Sequence, residues 1–100
     1  MTITRLWHGR TNLKDADMYL EYVMQTGLKE YVSTKGNLSA KILRRTEGET
    51  CHFITISEWD SYESIINFAG KDFEKAKYYH KDKEYLIELE ENVIHYETYE

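Results

Sequence analysis

Aromatic rings and imidazoles occupy positions of this sequence from which a folded chain can build an apolar cavity. Trp7 and His8 are neighbours in the first predicted strand, and Trp59 ends the third. Proton transfer in such a cavity needs a base, and an imidazole titrates near neutral pH. His8 is therefore the predicted base or hydrogen-bond donor. The alternative interpretation is that both tryptophans are packing residues and that His8 is a hydrogen-bonded residue near a strand end.

Two phenols and an imidazole stand together at Tyr78, Tyr79 and His80, between predicted helical turns. Connections of this kind often carry ligand contacts. The cluster therefore predicts a segment that binds a substrate. The same pattern is compatible with Tyr79 packing inward while Tyr78 and His80 face solvent, because periodicity does not separate the two arrangements.

Three histidine positions bear on metal binding. His8, His52 and His95 fall on strands that are neighbours in the predicted sheet, and three imidazoles with an open position suit zinc or iron. A shift of one residue in register sends a side chain to the opposite face. No two histidines have the close local spacing of a metal motif, so no metal site is predicted.

Basic residues gather near one predicted turn. Arg44 and Arg45, with Lys41 and Arg10, have the charge to attract an anionic substrate group, although such clusters more often flank a solvated turn. Cys51 lies within a strand pattern and is predicted to be a small core residue.

Alternation and periodicity predict which elements hold these residues. Strands are predicted over residues 3–10, 38–45, 50–59 and 93–99, and an amphipathic helix over residues 13–32, with Gly27 loosening its last turns. A broken helical stretch is predicted from residue 61 to about residue 91. Asp60 or Ser61 caps its start, Gly70 ends its first part, and Asp72 and Asp82 begin further turns.

The predicted order is β-α-β-β-α-β, which places four strands in one antiparallel sheet in the order 4-1-3-2. This is a ferredoxin-like α+β fold with both helices on one face. Apolar residues occur on both sides of the strands, among them Leu6, Ile54 and Ile56. Because an apolar face needs covering, the sequence predicts a homodimer that packs sheet to sheet.

Composition limits the partners and the location. The chain has 100 residues, a formal charge of -5, one cysteine and no proline, which suits a single domain spanning residues 1–100. Net negative charge disfavours nucleic acid. No apolar run approaches the length of a membrane span, and the first residues lack the apolar core of a secretory signal. We therefore expect a cytoplasmic protein without a nucleic-acid or membrane partner.

Three segments together carry a family resemblance: Ile3-Thr4-Arg5-Leu6-Trp7-His8-Gly9-Arg10, Glu58-Trp59-Asp60-Ser61-Tyr62-Glu63-Ser64, and His95-Tyr96-Glu97. With them, the chain resembles the antibiotic biosynthesis monooxygenase-like family of dimeric α+β barrels along nearly its whole length. The resemblance implies a homodimer whose two sheets form a barrel, with a pocket in each subunit between sheet and helices.

For function, the resemblance implies a cofactor-independent monooxygenase-like enzyme that acts on a small aromatic or enolisable molecule. The expected catalytic residues are His8 and Tyr79. Substrate contacts are expected from the tryptophans, from Phe68 and from the rest of the tyrosine cluster, namely Trp7, Trp59, Phe68, Tyr78 and His80. The alternative is a non-catalytic dimer that binds a small ligand or heme as a sensor, a carrier or a stress-related protein.

The resemblance also bears on cofactors. Heme-degrading members of the family typically have an asparagine in the first strand, a tryptophan late in the second helix and a histidine about ten residues later. Here the first strand lacks asparagine, the helix position is Phe68, and the histidine position falls near Tyr78, two residues before His80. No cofactor is therefore expected, and heme is the alternative.

Overall fold

A computed structural model describes all 100 residues, and each predicted strand is present with its ends shifted by at most two residues. The strands are β1 (Thr2–Asn12), β2 (Asn37–Glu47), β3 (Thr50–Trp59) and β4 (Ile94–Thr98). The α-helices are α1 (Ala16–Val23), α2 (Lys29–Ser33), α3 (Tyr62–Ala69) and α4 (Asp82–Tyr85). None of the helices is long and apolar enough to cross a membrane.

The four strands form one antiparallel sheet in the order β2-β3-β1-β4, which confirms the predicted topology and the ferredoxin-like α+β fold. Strand β1 lies at the centre, where Leu6 pairs with Ile56 of β3 on one side and with Ile94 of β4 on the other. A register shift between Asn37 and Ser39 marks the start of β2.

Alternation along β1 sorts its side chains between two environments. Ile3, Arg5 and Trp7 are buried beneath the helices, whereas Leu6 and His8 point to the opposite, open face. Successive strand residues face opposite sides of a sheet, so this division follows directly from the extended backbone. The open face includes apolar side chains from all four strands: Leu6, Ile54 and Ile56 are half-buried, and Leu43, Ile94 and Tyr96 are exposed.

The first helical stretch has its predicted span, but it is not a single regular α-helix. It begins with a 3-10 turn at Leu13–Asp15, continues through α1, and widens into a π-helical turn at Met24–Leu28 before α2. Gly27 lies in the widened turn, where the sequence predicted a looser helix. Wide turns of this kind frequently occur at functional sites.

Helix α3 begins and ends at the predicted residues. The Ser61 hydroxyl accepts a hydrogen bond from the backbone N–H of Ser64 at 3.3 Å, and Gly70 ends the helix with φ of 89°. A side-chain oxygen at the N-cap satisfies an otherwise free helical donor, and glycine adopts positive φ without strain.

The predicted helical turns after Gly70 are wrong except at α4. Residues 71–81 are irregular, and their backbone groups pair with the segment before β4: Ala76 N–H donates to Glu91, and Val93 N–H donates to Glu74, both at 2.8 Å. After α4, Ile87 N–H donates to Arg10 at the end of β1. These long-range bonds replace the helical ladder, so tertiary pairing overrides the local periodicity.

Two core clusters lie between the sheet and the helices. One contains Trp7, Tyr19 and Phe53, and the other contains Tyr31 and Trp59 among its members. Because Ile3 belongs to the second cluster and Trp7 to the first, the residue between them on the same face, Arg5, falls at their junction.

Candidate functional site

A cavity lies between the sheet and the helices, where the two core clusters meet. It leaves about 30 Å³ for the centres of water-sized molecules, which is room for roughly two waters. Its walls come from β1, β3, the first helical stretch, the irregular segment, α4 and the residue before β4: Arg5, Trp7, Tyr19, Val23, Thr26, Tyr31, Thr55, Lys77, Tyr78, Tyr79, Asp82 and Val93.

Arg5 is the most unusual residue of the cavity wall. Its side chain is 1% exposed, and its guanidinium donates to the backbone oxygens of Phe73 at 2.6 Å and Lys75 at 3.4 Å. The Nε atom has no hydrogen-bond partner, and no carboxylate lies within 4.0 Å of the group. Burial lowers the pKa of Arg5. Burying a cation without an anion costs free energy, and no carboxylate of the chain offsets that cost at Arg5.

His95 is the other polar neighbour of Arg5. Its Nε2 atom lies 3.0 Å from Arg5 Nη1, and its ring packs edge-on against Phe73 on the outer side. Burial, followed by repulsion from the Arg5 charge, lowers the pKa of His95 to about 4. The imidazole is therefore neutral at physiological pH, where Nε2 accepts a hydrogen bond from the guanidinium and adds no negative charge.

Asp82 supplies a buried carboxyl group to the same cavity. It is 5% exposed, and its oxygens accept hydrogen bonds from the Tyr19 hydroxyl at 2.9 Å and from the Tyr79 backbone N–H at 2.5 Å. Burial raises the pKa of Asp82, while these two hydrogen bonds oppose the change. A carboxylate with a raised pKa is a stronger base than one in water, and the two donors fix its orientation.

Trp7 and Tyr78 form one wall of the cavity. The indole Nε1 of Trp7 donates to the Tyr78 hydroxyl at 3.3 Å, and that hydroxyl donates to the Glu90 backbone oxygen at 2.5 Å. The rings meet edge to face with centroids 6.3 Å apart. Because their polar atoms bond to each other and to the backbone, the two rings offer the cavity a mostly apolar surface.

Glu30 ties the irregular segment to the first helical stretch. Its carboxylate accepts from the Tyr79 hydroxyl and from Lys77 Nζ, the latter at 2.6 Å. Burial raises the pKa of Glu30, but the hydrogen bonds outweigh that effect and leave the pKa lowered. Burial and the Glu30 charge raise the pKa of Tyr79, which therefore remains a phenol. We call Glu30, Lys77 and Tyr79 the latch, since Lys77 and Tyr79 line the cavity and Glu30 bonds to both.

The structure brings together three of the predicted site residues. Trp7, Tyr78 and Tyr79 all line the cavity. Trp59 and Phe68 pack instead in the adjoining core cluster, where their ring centroids are 5.6 Å apart. The predicted placement of Trp59 and Phe68 in the cavity wall is wrong, because both rings are taken up by the second core cluster, where they pack with Ile65.

His80 is likewise not among the residues that line the cavity, although it directly follows Tyr79. It is exposed at the end of the irregular segment. The predicted contact between His80 and a ligand in this cavity has no support in the structure, because the segment turns toward α4 at that point.

The predicted grouping of His8 with Trp7 in one cavity is wrong. His8 lies on the open face of the sheet, where its Nδ1 atom contacts the Glu90 carboxylate at 2.5 Å and its Nε2 atom lies 2.9 Å from His52 Nδ1. His52 Nε2 in turn contacts the Glu47 carboxylate at 2.7 Å. Adjacent strand residues face opposite sides, so an inward Trp7 requires an outward His8.

The three histidines on neighbouring strands do not share a face, as a common metal site would require. His8 and His52 are on the open face, and His95 is on the helix face beside Arg5. No group of three histidine, cysteine, aspartate or glutamate side chains is arranged to hold a metal ion.

The basic cluster and the cysteine take ordinary structural roles. Arg44 pairs with Asp17 at 2.8 Å and Arg10 pairs with Glu88 at 3.1 Å, in both cases at the surface. Cys51 is fully buried in the core, as predicted.

Sequence reasoning missed Arg5 and Asp82 as residues of the cavity wall. A usable signal existed for Arg5: it alternates in phase with Ile3 and Trp7, so a charge shares the face of two large apolar residues. Asp82 gave no comparable signal, since an aspartate at the start of a predicted helical turn is normally a solvated cap.

Comparisons with known proteins bear on the fold. No protein-family model and no curated protein matches the chain. A putative antibiotic biosynthesis monooxygenase from Bacillus cereus superposes with a TM-score of 0.68 at 11% identity, over 99% of this chain and 96% of that one. A second such protein, from Nitrosomonas europaea, superposes with a TM-score of 0.64 at 10% identity, over 95% of this chain and 86% of that one.

An arginine-to-serine mutant of MhuD, with two manganese protoporphyrin IX molecules bound per active site, superposes with a TM-score of 0.58 at 16% identity, over 96% of this chain and 93% of that one. These similarities show that the chain has the fold of the monooxygenase-like proteins. The resemblance found in the sequence is thereby confirmed at the level of the fold.

The MhuD structure shows that this fold is compatible with a bound metalloporphyrin. In the present chain, the groups of the cavity wall that ligate iron in some heme proteins are phenols. All four hydroxyls are engaged: Tyr19 with Asp82, Tyr31 with Thr55, Tyr78 with Glu90 and Tyr79 with Glu30. The cavity wall offers no free axial ligand, and no heme chemistry is assigned to it.

Proposed function

We propose that the cavity is the active site of a cofactor-independent monooxygenase-like enzyme that acts on a small aromatic or enolisable molecule. The observation that carries the proposal is the buried carboxyl group of Asp82 on the wall of an aromatic cavity. A desolvated carboxylate held by two hydrogen bonds is suited to remove a weakly acidic proton.

The reaction needs no electrons from the protein. In the overall conversion R₂CH₂ + O₂ → R₂C=O + H₂O, two C–H bonds of the substrate break, one oxygen atom becomes the new carbonyl oxygen, and the other leaves as water. Asp82 accepts the first proton, and the resulting carbanion or enolate reduces oxygen. Carbon is oxidised and dioxygen is reduced, so the substrate itself is the reductant.

The other cavity residues exclude water from this step. Trp7 and Tyr78 present apolar ring surface to the substrate, and Tyr79 closes one side through the latch. With the latch closed the cavity is too small for an aromatic ring, so substrate entry requires that Tyr79 and its neighbours move. Exclusion of water keeps Asp82 a strong base and protects the reactive intermediate.

Oxygen consumption tests the proposal. The purified protein is given a panel of anthrones and quinols in an oxygen electrode, and the oxidised product is quantified. For the anthrones we expect one oxygen molecule consumed per ketone formed. The Asp82→Asn variant keeps an acceptor for Tyr19 but cannot take the proton, so we expect at least a hundredfold slower turnover. Turnover by Asp82→Asn at the parent rate would disprove the role of Asp82.

A second candidate is a small-ligand-binding protein without catalysis. The observation that favours it is the small cavity in which every phenol hydroxyl is already bonded. Under this alternative the panel binds without oxygen consumption. A heme titration belongs to the same experiment, and a Soret shift at stoichiometric heme would identify heme as the ligand.

We also propose that the protein is a homodimer in which the open faces of two sheets pack together. Leu6, Ile54 and Ile56 form the half-buried centre of that face, and Leu43 and Ile94 are 44% and 57% exposed beside it. An apolar face of this kind favours a covering partner. Sedimentation tests it, because a species of 12.0 kDa at micromolar concentration would contradict the dimer. Cytoplasmic location stays a prediction from the sequence.

A further inference from the structure

We propose that the cavity binds an organic monoanion, whose charged oxygen accepts a hydrogen bond from the guanidinium of Arg5. The inference names the substrate class of the site described under the proposed function and rests on that proposal for the location of the site. The ligand class is a small, flat carboxylate or an enolate.

The first observation is that the charge of Arg5 is left uncompensated by the protein. The side chain is 1% exposed, and it lies more than 4.0 Å from every carboxylate. Its hydrogen-bond partners are the backbone oxygens of Phe73 and Lys75 and the ring of His95, which are neutral acceptors. Folded proteins seldom bury a cation without an anion, because no attraction to an opposite charge then offsets the cost of desolvation.

The second observation is a donor that remains free. Arg5 Nε is buried and has no partner, and Arg5 is part of the cavity wall. A guanidinium has five N–H donors in a fixed plane and binds carboxylate oxygens with matching geometry. An anionic oxygen in the cavity would satisfy the free donor and the uncompensated charge together.

The carboxylates nearest the cavity are committed to other donors. Asp82 accepts from the Tyr19 hydroxyl and the Tyr79 backbone, and Glu30 accepts from the Tyr79 hydroxyl and Lys77 Nζ. Neither side chain can turn to Arg5 without leaving a donor unpaired. The missing anion must therefore come from outside the chain.

The walls restrict the shape of the anion. Trp7 and Tyr31 border the cavity beside Arg5, whose guanidinium carbon also lies 5.6 Å from the centre of the Phe68 ring in the adjoining core cluster. Aromatic faces favour flat, unsaturated ligands over bulky saturated ones. The space of about 30 Å³ accommodates a charged head group, and the remainder of the ligand occupies the volume released when the latch opens.

Benzoate and benzamide are the probes, since they have the same shape and differ in charge. Binding to the intact protein is measured at pH 7.5 by calorimetry and by quenching of tryptophan fluorescence. We expect benzoate to bind at least tenfold more tightly than benzamide. Equal affinity for the two probes, or no binding of benzoate at millimolar concentration, would overturn the inference without any variant.

Variants then assign the effect to Arg5. Arg5→Gln should weaken benzoate binding at least tenfold and leave benzamide binding unchanged. The matched control is Arg10→Gln, which removes a surface cation on the other face of β1 and should leave both affinities as in the parent. Retained benzoate affinity in folded Arg5→Gln would overturn the inference. If Arg5→Gln does not fold, Arg5→Lys is used instead, because it keeps the positive charge. The comparison of benzoate with benzamide in the parent protein still tests the inference in that case.

The outcome is separable from that of the proposed function. Benzoate binding without oxygen consumption on any panel compound supports the anion site and contradicts the oxygenase. Oxygen consumption with neutral anthrones that benzoate does not inhibit supports the oxygenase and contradicts the anion site.

Discussion

Replacement of His95 by glutamine tests the buried charge of Arg5 through the stability of the fold. His95 is neutral in the folded protein, where burial and the guanidinium lower its pKa from 6.5 to about 4. In the unfolded chain the ring titrates normally. Between pH 6.5 and about 4 the unfolded state therefore binds a proton that the folded state does not, so the free energy of unfolding falls as the pH falls.

The size of the effect follows from the pKa values. The difference between 6.5 and about 4 is worth about 3.4 kcal/mol, at about 1.36 kcal/mol for each pKa unit. The ring also borders an open groove beside Tyr62, and screening by solvent there reduces the contribution to about 2 kcal/mol. The His95→Gln variant keeps an oxygen that can accept a hydrogen bond from Arg5. Because glutamine does not titrate, the variant should not show this fall in the free energy of unfolding at acidic pH.

Urea unfolding, followed by circular dichroism at pH 7.5, 6, 5 and 4 and at one fixed protein concentration, measures the difference. We expect the parent to lose about 2 kcal/mol relative to His95→Gln over this range. His80→Gln is the matched control, because it removes a histidine that makes no contact with Arg5, and its curve should parallel that of the parent. Parallel curves for the parent and His95→Gln would refute the placement of His95 against a buried cation.

Three further changes test the fold, the open face and the latch. Gly36→Ala should lower the free energy of unfolding in urea by at least about 2 kcal/mol, because φ is 96° and the new Cβ would lie 2.0 Å from Ser64 Oγ. The control is Gly48→Ala, which should cost only about 1 kcal/mol, because φ is 58° and no atom lies within 4 Å of the new Cβ. Equal costs for the two variants would contradict the close packing at Gly36. Ile54→Lys places a charge on the open face and should convert the dimer to a monomer in sedimentation, whereas an unchanged dimer would move the interface elsewhere. Tyr79→Phe removes the bond to the latch carboxylate and should speed benzoate association severalfold in stopped flow, and an unchanged rate would show that the latch does not gate entry.

The strands were predictable because alternation and β-favouring residues agree along each of them. The same alternation also separates the neighbours Trp7 and His8, and stricter use of it would have placed His8 outside the cavity. It would further have identified Arg5 as a charge on the buried face. These parts of the site are local consequences of the strand geometry, which the sequence records.

The irregular segment was not predictable in the same way. The spacing of Tyr79, Asp82 and Tyr85 suits a helix, but only α4 forms, because the flanking backbone bonds to β1 and to the segment before β4. Such long-range pairings leave no periodic trace in the sequence. The role of Asp82 depends on them, since its partner Tyr19 lies 63 residues away along the chain.

The rate of oxygen consumption by Asp82→Asn, compared with that of His8→Gln, tests most directly whether function resides in the inner cavity. Asp82 lines the cavity, and His8 lies on the opposite face of the sheet. With an anthrone that the parent oxidises, we predict that His8→Gln retains the parent rate and that Asp82→Asn loses at least a hundredfold. Loss of activity in His8→Gln with full activity in Asp82→Asn would place the chemistry on the open face and contradict the proposed site.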